Sequence, residues 1–222
     1  MAAKVYGVIS QKGGVGKTTT SVNLATGFAL RDLDVLLIDT ESTSQASAMN
    51  WHKDRIKQGV EPRFTVSPHD TPTTLHQDIK KLGKGYDVVI VDGAPRNDEL
   101  ARSVIASADV VIIPMAASKF DVNAGKNTIK LLQEARMHTA KLACFLVNKA
   151  EKHTNLHASL MEQLVKWDET TDIALLQSQL GLRVAFAESA GGVGVLETAP
   201  ASTAGQELTK LIDELMEKYH GN

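Results

Sequence analysis

Five short runs of aliphatic and β-branched residues recur along the chain, at Val5–Ile9, Val35–Ile38, Val88–Val91, Val110–Ile113 and Leu142–Val147. Each is apolar almost throughout rather than at alternate positions, which is the pattern of a strand covered by helices on both faces. Between them lie stretches of helical periodicity at about 17–31, 71–83, 98–107, 121–138 and 154–167, with a terminal one at about 203–219. Strands alternating with helices predict an α/β fold with a mostly parallel, doubly wound sheet. A chain of 222 residues suits one domain. It contains no internal repeat, low-complexity tract or linker, and Gly191-Gly192-Val193-Gly194 reads as a loop.

In such sheets ligands bind outside the carboxyl ends of the strands. The residues that follow the five runs are unusually polar: Ser10-Gln11-Lys12-Gly13-Gly14, then Asp39, Asp92, Pro114 and Asn148-Lys149. One face is therefore expected to collect two carboxylates, two lysines and a glycine loop.

Composition narrows the partners only a little. The formal net charge of −2 excludes a globally basic protein, so contact with nucleic acid would need a local patch. The single cysteine, Cys144, sits inside an apolar run and reads as a buried thiol, which argues against disulfides. The N-terminus does not resemble a signal peptide and no apolar run is long enough to span a bilayer, so a cytoplasmic protein is expected. The histidines show no metal-ligand spacing.

Gln11-Lys12-Gly13-Gly14-Val15-Gly16-Lys17-Thr18-Thr19 follows a strand and opens a helix. In that setting backbone N–H groups and a helix N-terminus cradle phosphates, Lys17 reaches the β and γ phosphates, and the Thr18 hydroxyl binds Mg²⁺. The usual phosphate-loop pattern has glycine where Gln11 stands, but Gly13 and Gly14 still admit a close backbone approach. On the residues alone, Lys12 is either a solvated lysine beside an anion site or part of it. Likewise Asp92, in Asp92-Gly93, either starts a turn or ends a buried strand as a metal ligand.

Lys12-Gly13-Gly14-Val15-Gly16-Lys17-Thr18-Thr19 resembles the deviant Walker A motif of the ParA/MinD ATPases, with Lys12 as the signature lysine. The resemblance implies a single-domain P-loop ATPase that uses ATP and Mg²⁺ and dimerises around nucleotide. It makes Gly13 to Thr19 nucleotide-binding, and has Lys12 reach across the dimer to phosphate in the other subunit, adding positive charge where the transition state gains negative charge.

Tyr86 to Pro95 looks like the family's Walker B segment and following switch loop, which makes Asp92 a Mg²⁺ ligand, while Asp87 ahead of the strand reads as structural. Val35 to Glu41 is similar to the family segment in which two aspartates flank one residue. Asp39 matches the first, which implies a place near the metal and in catalysis. The second is Glu41 here, followed by Ser42 in place of proline and by a glutamine delayed to Gln45; the resemblance resumes through Ser47 and Asn50-Trp51. Glu41 is then either the group that positions the attacking water or a solvated loop acid.

Leu146-Val147-Asn148-Lys149 resembles the family's base-contacting segment, which gives Asn148 to adenine. Pro114 to Asp121 looks like the segment near the dimer interface, and Arg183 to Ser189 with Gly194 and Glu197 resembles the family's C-terminal portion. The few residues written before the first strand leave no room for a helix-turn-helix, so the chain resembles the small partition ATPases, and the resemblance implies an ATP dimer that binds nucleoid DNA without sequence preference and is released by a ParB-like cargo adaptor. Lys149, Lys152, Arg183 and Lys210 are the candidate DNA contacts, each also readable as a solvated charge.

Two other classes compete. A MinD-like membrane switch needs a basic amphipathic C-terminal helix. Here Leu208, Leu211, Ile212, Leu215, Met216 and Tyr219 face one way, and the opposite face, Glu207, Lys210, Asp213, Glu214, Glu217 and Lys218, is net acidic, so docking on its own sheet is expected. An ATP-dependent metabolic ligase or kinase on the same fold is the other alternative, discriminated by Lys12 and by whether a small substrate accelerates hydrolysis.

Overall fold

The computed structural model describes residues 2–41, 47–137 and 141–220, apart from the side chains of residues 119–121 and 220. Ser42 and Gln45 lie outside the described residues. The elements run β1 (Lys4–Val8), α1 (Lys17–Ala29), β2 (Val35–Asp39), α2 (Ser47–Lys57), β3 (Thr65–Pro68), α3 (Pro72–Leu82), β4 (Val88–Asp92) and α4 (Asp98–Ser107). They continue through β5 (Val110–Met115), α5 (Lys119–Arg136), β6 (Leu142–Ala150), α6 (Asn155–Thr171), β7 (Ala174–Gly181), α7 (Val184–Glu188), α8 (Val195–Thr198) and α9 (Thr203–Leu215), and a π-helical turn, Met216–His220, follows.

The strands form one seven-stranded sheet in the order β3-β2-β4-β1-β5-β6-β7, and every neighbouring pair is parallel. Continuous apolar runs follow from burial on both sides. In β1, Tyr6 and Val8 pack beneath α1, α2, α8 and α9, while Val5 points into the opposite layer of α3 to α6. The same split divides β4, where Val89 and Val91 face α3 to α6 and Val88 and Ile90 face α1 and α9. Fully apolar strands are the only ones that satisfy two cores at once.

The sheet's two edges differ from its centre. Strand β3 is partly exposed along its length, and β7 carries Gln177, Ser178 and Gln179. The β7 edge is closed by side chains: Gln177 N and Ser178 N donate to the Glu214 carboxylate at 2.9 and 2.8 Å, and Gly181 N donates to Glu207 at 2.9 Å. Two acids of α9 thereby satisfy N–H groups that a further strand would otherwise pair with. The apolar side of α9, Leu208, Leu211, Ile212 and Leu215, is fully buried against the sheet. Among the described residues no helix is long and apolar enough to cross a membrane.

A buried polar strut joins α2 to α8. Arg55 is 2% exposed and donates twice to Glu197, at 2.8 Å each, and once to the Glu61 carbonyl at 2.8 Å. Trp51 Nε1 donates to the Ser189 carbonyl at 2.6 Å, and the Ser189 hydroxyl in turn accepts from Asn23 of α1 at 2.9 Å.

Candidate functional site

The carboxyl ends of β1, β2, β4 and β6 converge around the loop Ser10–Gly16. The loop turns sharply because Gly14 and Gly16 adopt φ of +74° and +96°, a region that L side chains avoid. Gly16 has a second constraint, since a Cβ there would stand 2.3 Å from Asn148 Nδ2. Helix α1 begins at Lys17 with no side chain capping its N-terminus, so its first N–H groups remain available to an anion.

Lys17 is 6% exposed, and its Nζ donates to the Lys12 carbonyl at 3.1 Å, beneath the loop. Burial lowers its pKa, while the charges of Asp92 and Glu41 pull it back up. The ammonium is thus held by the loop's own backbone, in the field of two carboxylates. Lys12 points elsewhere: its Nζ donates to Ser118 Oγ at 3.0 Å, on the segment between β5 and α5.

Asp92 ends β4 fully buried. Its Oδ1 accepts from Ser21 Oγ at 3.0 Å, but Oδ2 is buried with no hydrogen-bond partner. Burial pushes the Asp92 pKa up to about 7, opposed by Thr18, Lys17 and Ser21 and reinforced by Asp39. An orphaned carboxylate oxygen beside a threonine hydroxyl and a second acid fits a hard divalent cation that keeps part of its water shell. Among the described residues no group of three or more His, Cys, Asp and Glu side chains is placed to hold a metal ion. Two carboxylates and a hydroxyl suit Mg²⁺, which is bound elsewhere mainly through phosphates and water.

Asp39 is also fully buried, and both of its oxygens accept hydrogen bonds. It accepts backbone N–H bonds from Glu41 at 3.0 Å, Ala48 at 2.9 Å and Met49 at 3.0 Å. It therefore holds the start of the β2–α2 loop and the start of α2 together. Its pKa is raised by burial, against those N–H bonds and together with the charge of Glu41. The Glu41 carboxylate accepts from Ser47 Oγ at 2.6 Å and Ser47 N at 3.3 Å, so it sits over the N-terminus of α2. This helix was not legible in the hydrophobic pattern, and its two anchoring acids are the two candidate catalytic acids.

Asn148, 7% exposed, donates from Nδ2 to the Val15 carbonyl at 2.9 Å, and its Oδ1 accepts from Lys149 N at 2.9 Å. It also lines a cleft of about 190 Å³ together with Gly16, Thr19, Leu182, Arg183 and Phe186. The four candidate DNA contacts fall in two pairs, Lys149 and Arg183 lining the cleft beside Asn148 and Lys152 and Lys210 sharing a groove. Lys149 Nζ donates to the Gly14 carbonyl at 2.7 Å, and Arg183 pairs with Glu207 at 2.7 Å. Lys152 and Lys210 line a groove that also holds Glu207, Asp213, Glu214 and Glu217.

Residues 6–192 match the family described as the CobQ/CobB/MinD/ParA nucleotide binding domain. The chain is 27% identical over 236 residues to the chromosome-partitioning ATPase Soj of Thermus thermophilus, covering 93% of each chain. It is 34% identical over 120 residues to maintenance of carboxysome distribution protein A of Gloeobacter kilaueensis, a match spanning 54% of this chain and 52% of that protein. The fold is similar to that of the septum site-determining protein MinD complexed with Mg-ADP from Pyrococcus horikoshii, with a TM-score of 0.77 at 18% identity, covering 99% of this chain and 98% of that one.

Proposed function

Because the chain belongs to the CobQ/CobB/MinD/ParA nucleotide binding family, we propose that it is a Mg²⁺-dependent ATPase that dimerises on ATP and partitions or positions a cargo such as a plasmid. The observation that carries this reading is the orphaned, buried Oδ2 of Asp92 beside Thr18, at the foot of the glycine loop and close to Lys17.

In this reading the N–H groups of Gly13 to Thr19 and the N-terminus of α1 bind the phosphates, and Lys17 exchanges the Lys12 carbonyl for a β or γ oxygen. Thr18, Asp92 and Asp39 would hold Mg²⁺, which supplies charge neutralisation on the phosphates. Asn148 faces the base in the cleft beside the loop. Glu41 orients the attacking water, which requires its carboxylate to leave Ser47 when nucleotide and partner arrive. Lys12 leaves Ser118 to reach phosphate in the second subunit, so one side chain links nucleotide state to dimerisation.

The finer partners follow the named functions of the relatives, chromosome partitioning for Soj and carboxysome distribution for the Gloeobacter protein. Cargo of this kind is moved by an ATP dimer that holds nucleoid DNA non-specifically until an adaptor stimulates hydrolysis. The apolar side of α9 is buried against the sheet, which withdraws that face from a lipid surface. DNA retention on a filter tests the reading: it should require ATP, ignore sequence and fall steeply as salt rises, since phosphate contacts release counterions. Equal retention with ADP, or preference for one operator, contradicts it.

A further inference from the structure

The end of β6 reaches back to the glycine loop with two consecutive side chains, which a regular strand cannot do. Successive residues of a strand point to opposite faces. Here Asn148 Nδ2 donates to the Val15 carbonyl at 2.9 Å and Lys149 Nζ donates to the Gly14 carbonyl at 2.7 Å. The backbone makes this possible by breaking the alternation: Lys149 has φ of +52°, and the β6–β7 register is irregular between Val147 and Ala150. A left-handed residue other than glycine or asparagine is strained, and strain of this kind persists where surrounding contacts hold it. Bulges are a means of re-aiming a side chain.

The two carbonyls matter because of what lies across their peptide planes. In a trans peptide the C=O of one residue and the N–H of the next point in opposite directions, and no peptide bond in the described residues is cis. Pinning the Gly14 and Val15 carbonyls toward β6 turns the N–H groups of Val15 and Gly16 the other way. An anion cradle needs neighbouring N–H groups fixed toward one concavity before the anion arrives. Gly16 is itself shaped to this contact, since no Cβ would fit against Asn148 there.

We propose that Asn148 and Lys149 form a clasp that presets the phosphate loop, and that Lys149 is a positioning residue for nucleotide rather than a DNA contact. The proposal rests on the nucleotide-binding reading above. Lys149 acts on a loop carbonyl from outside the cradle, so its contribution is made to the ground state and is shared by ADP and ATP.

The test is calorimetric titration of the full chain with Mg-ADP and with a non-hydrolysable Mg-ATP analogue, comparing wild type with Lys149→Met, Lys149→Gly and Lys149→Arg. Glycine takes the left-handed conformation without strain, so that variant removes the amine while easing the backbone. Methionine and glycine should each weaken both nucleotides by roughly tenfold or more, the effect of losing a hydrogen bond from a charged donor. Arginine, which keeps a charged donor, should stay near wild type. In steady state the loss should fall on KM rather than kcat. Wild-type affinity in both the methionine and glycine variants overturns the clasp, and a loss confined to DNA retention overturns it in favour of a DNA role. A wild-type chain that binds neither nucleotide overturns the nucleotide-binding reading itself.

Discussion

Asp39 and Asp92 are register partners on the adjacent strands β2 and β4, two buried carboxylates side by side at the carboxyl edge of the sheet. Like charges placed together out of water are unfavourable, and the raised pKa of Asp92 records it, burial being the larger cause and Asp39 a smaller one, whereas Asp39 is raised by burial and by the charge of Glu41. The pair differs in its partners. Asp39 accepts three backbone N–H bonds, one on Oδ1 and two on Oδ2, whereas one oxygen of Asp92 has none, so the two acids have different work to do.

The nucleotide-free protein should become more stable when Asp92 is replaced by asparagine. The Asp92 pKa rises from 3.8 to about 7, so the folded chain keeps a proton that the unfolded chain has lost. Stability therefore declines as pH rises between those values and stays low above them. Asp92→Asn should remove that decline and gain about 1–3 kcal/mol at pH 8, while the dependence of nucleotide affinity on Mg²⁺ disappears. Urea unfolding at pH 5 and 8 and a Mg²⁺ titration check both halves.

Replacing Lys17 with alanine should abolish nucleotide binding, because the charge and hydrogen bonds it brings to the phosphates are lost together. Equilibrium titration with ADP reads this directly, and undiminished affinity would refute the placement of phosphates in the loop.

The two acids that hold α2 should separate cleanly. Among the described residues Glu41→Ala removes hydrogen bonds to Ser47, so ATP binding should persist while single-turnover hydrolysis slows by about 10²-fold or more, if Glu41 orients water. Asp39→Ala frees the N–H groups of Glu41, Ala48 and Met49 at once, and should cost about 2–4 kcal/mol of stability as well as raising the Mg²⁺ requirement. Normal hydrolysis by Glu41→Ala, with an inactive yet dimeric Asp39→Ala, would reverse the two roles.

Acid should weaken the α2–α8 strut. Burial alone would raise the pKa of Glu197, but hydrogen bonds from Arg55, Gly194 N and Arg63 hold it below the ordinary 4.5. Its contribution is therefore present above 4.5 and lost as pH falls below that value. Glu197→Gln should lower stability at neutral pH and flatten the acid limb of the unfolding profile. An unchanged profile would show that the Arg55 pair contributes nothing to acid sensitivity.

The parts of this fold that the sequence makes legible are those where one physical demand acts alone. The central strands announce themselves because burial on both faces leaves room only for apolar residues, and the glycine loop because phosphate approach admits so few side chains. The edges are different. Thr65-Val66-Ser67-Pro68 is partly exposed, and the polar centre of β7 is compensated by Glu207 and Glu214, distant in sequence. Helix α2 is hidden for a similar reason. Its buried residues are Ala48, Trp51 and Arg55, and an arginine is no sign of a core until Glu197, 142 positions away, is seen against it. In the site, the positions of Lys17, Asp39 and Asp92 follow from strand ends alone. The second engagements of Asn148 and Lys149 do not, because they depend on a left-handed turn that nothing in Asn148-Lys149 encodes.

In the proposed switch Lys12 couples ATP to dimerisation, and sedimentation velocity reads that coupling. With Mg-ATP the wild-type chain should sediment as a dimer, with Mg-ADP or no nucleotide as a monomer, and Lys12→Ala as a monomer in all three while still binding nucleotide. A wild-type sedimentation coefficient that is the same with ATP and ADP, or a Lys12→Ala chain that dimerises on ATP like wild type, would contradict it.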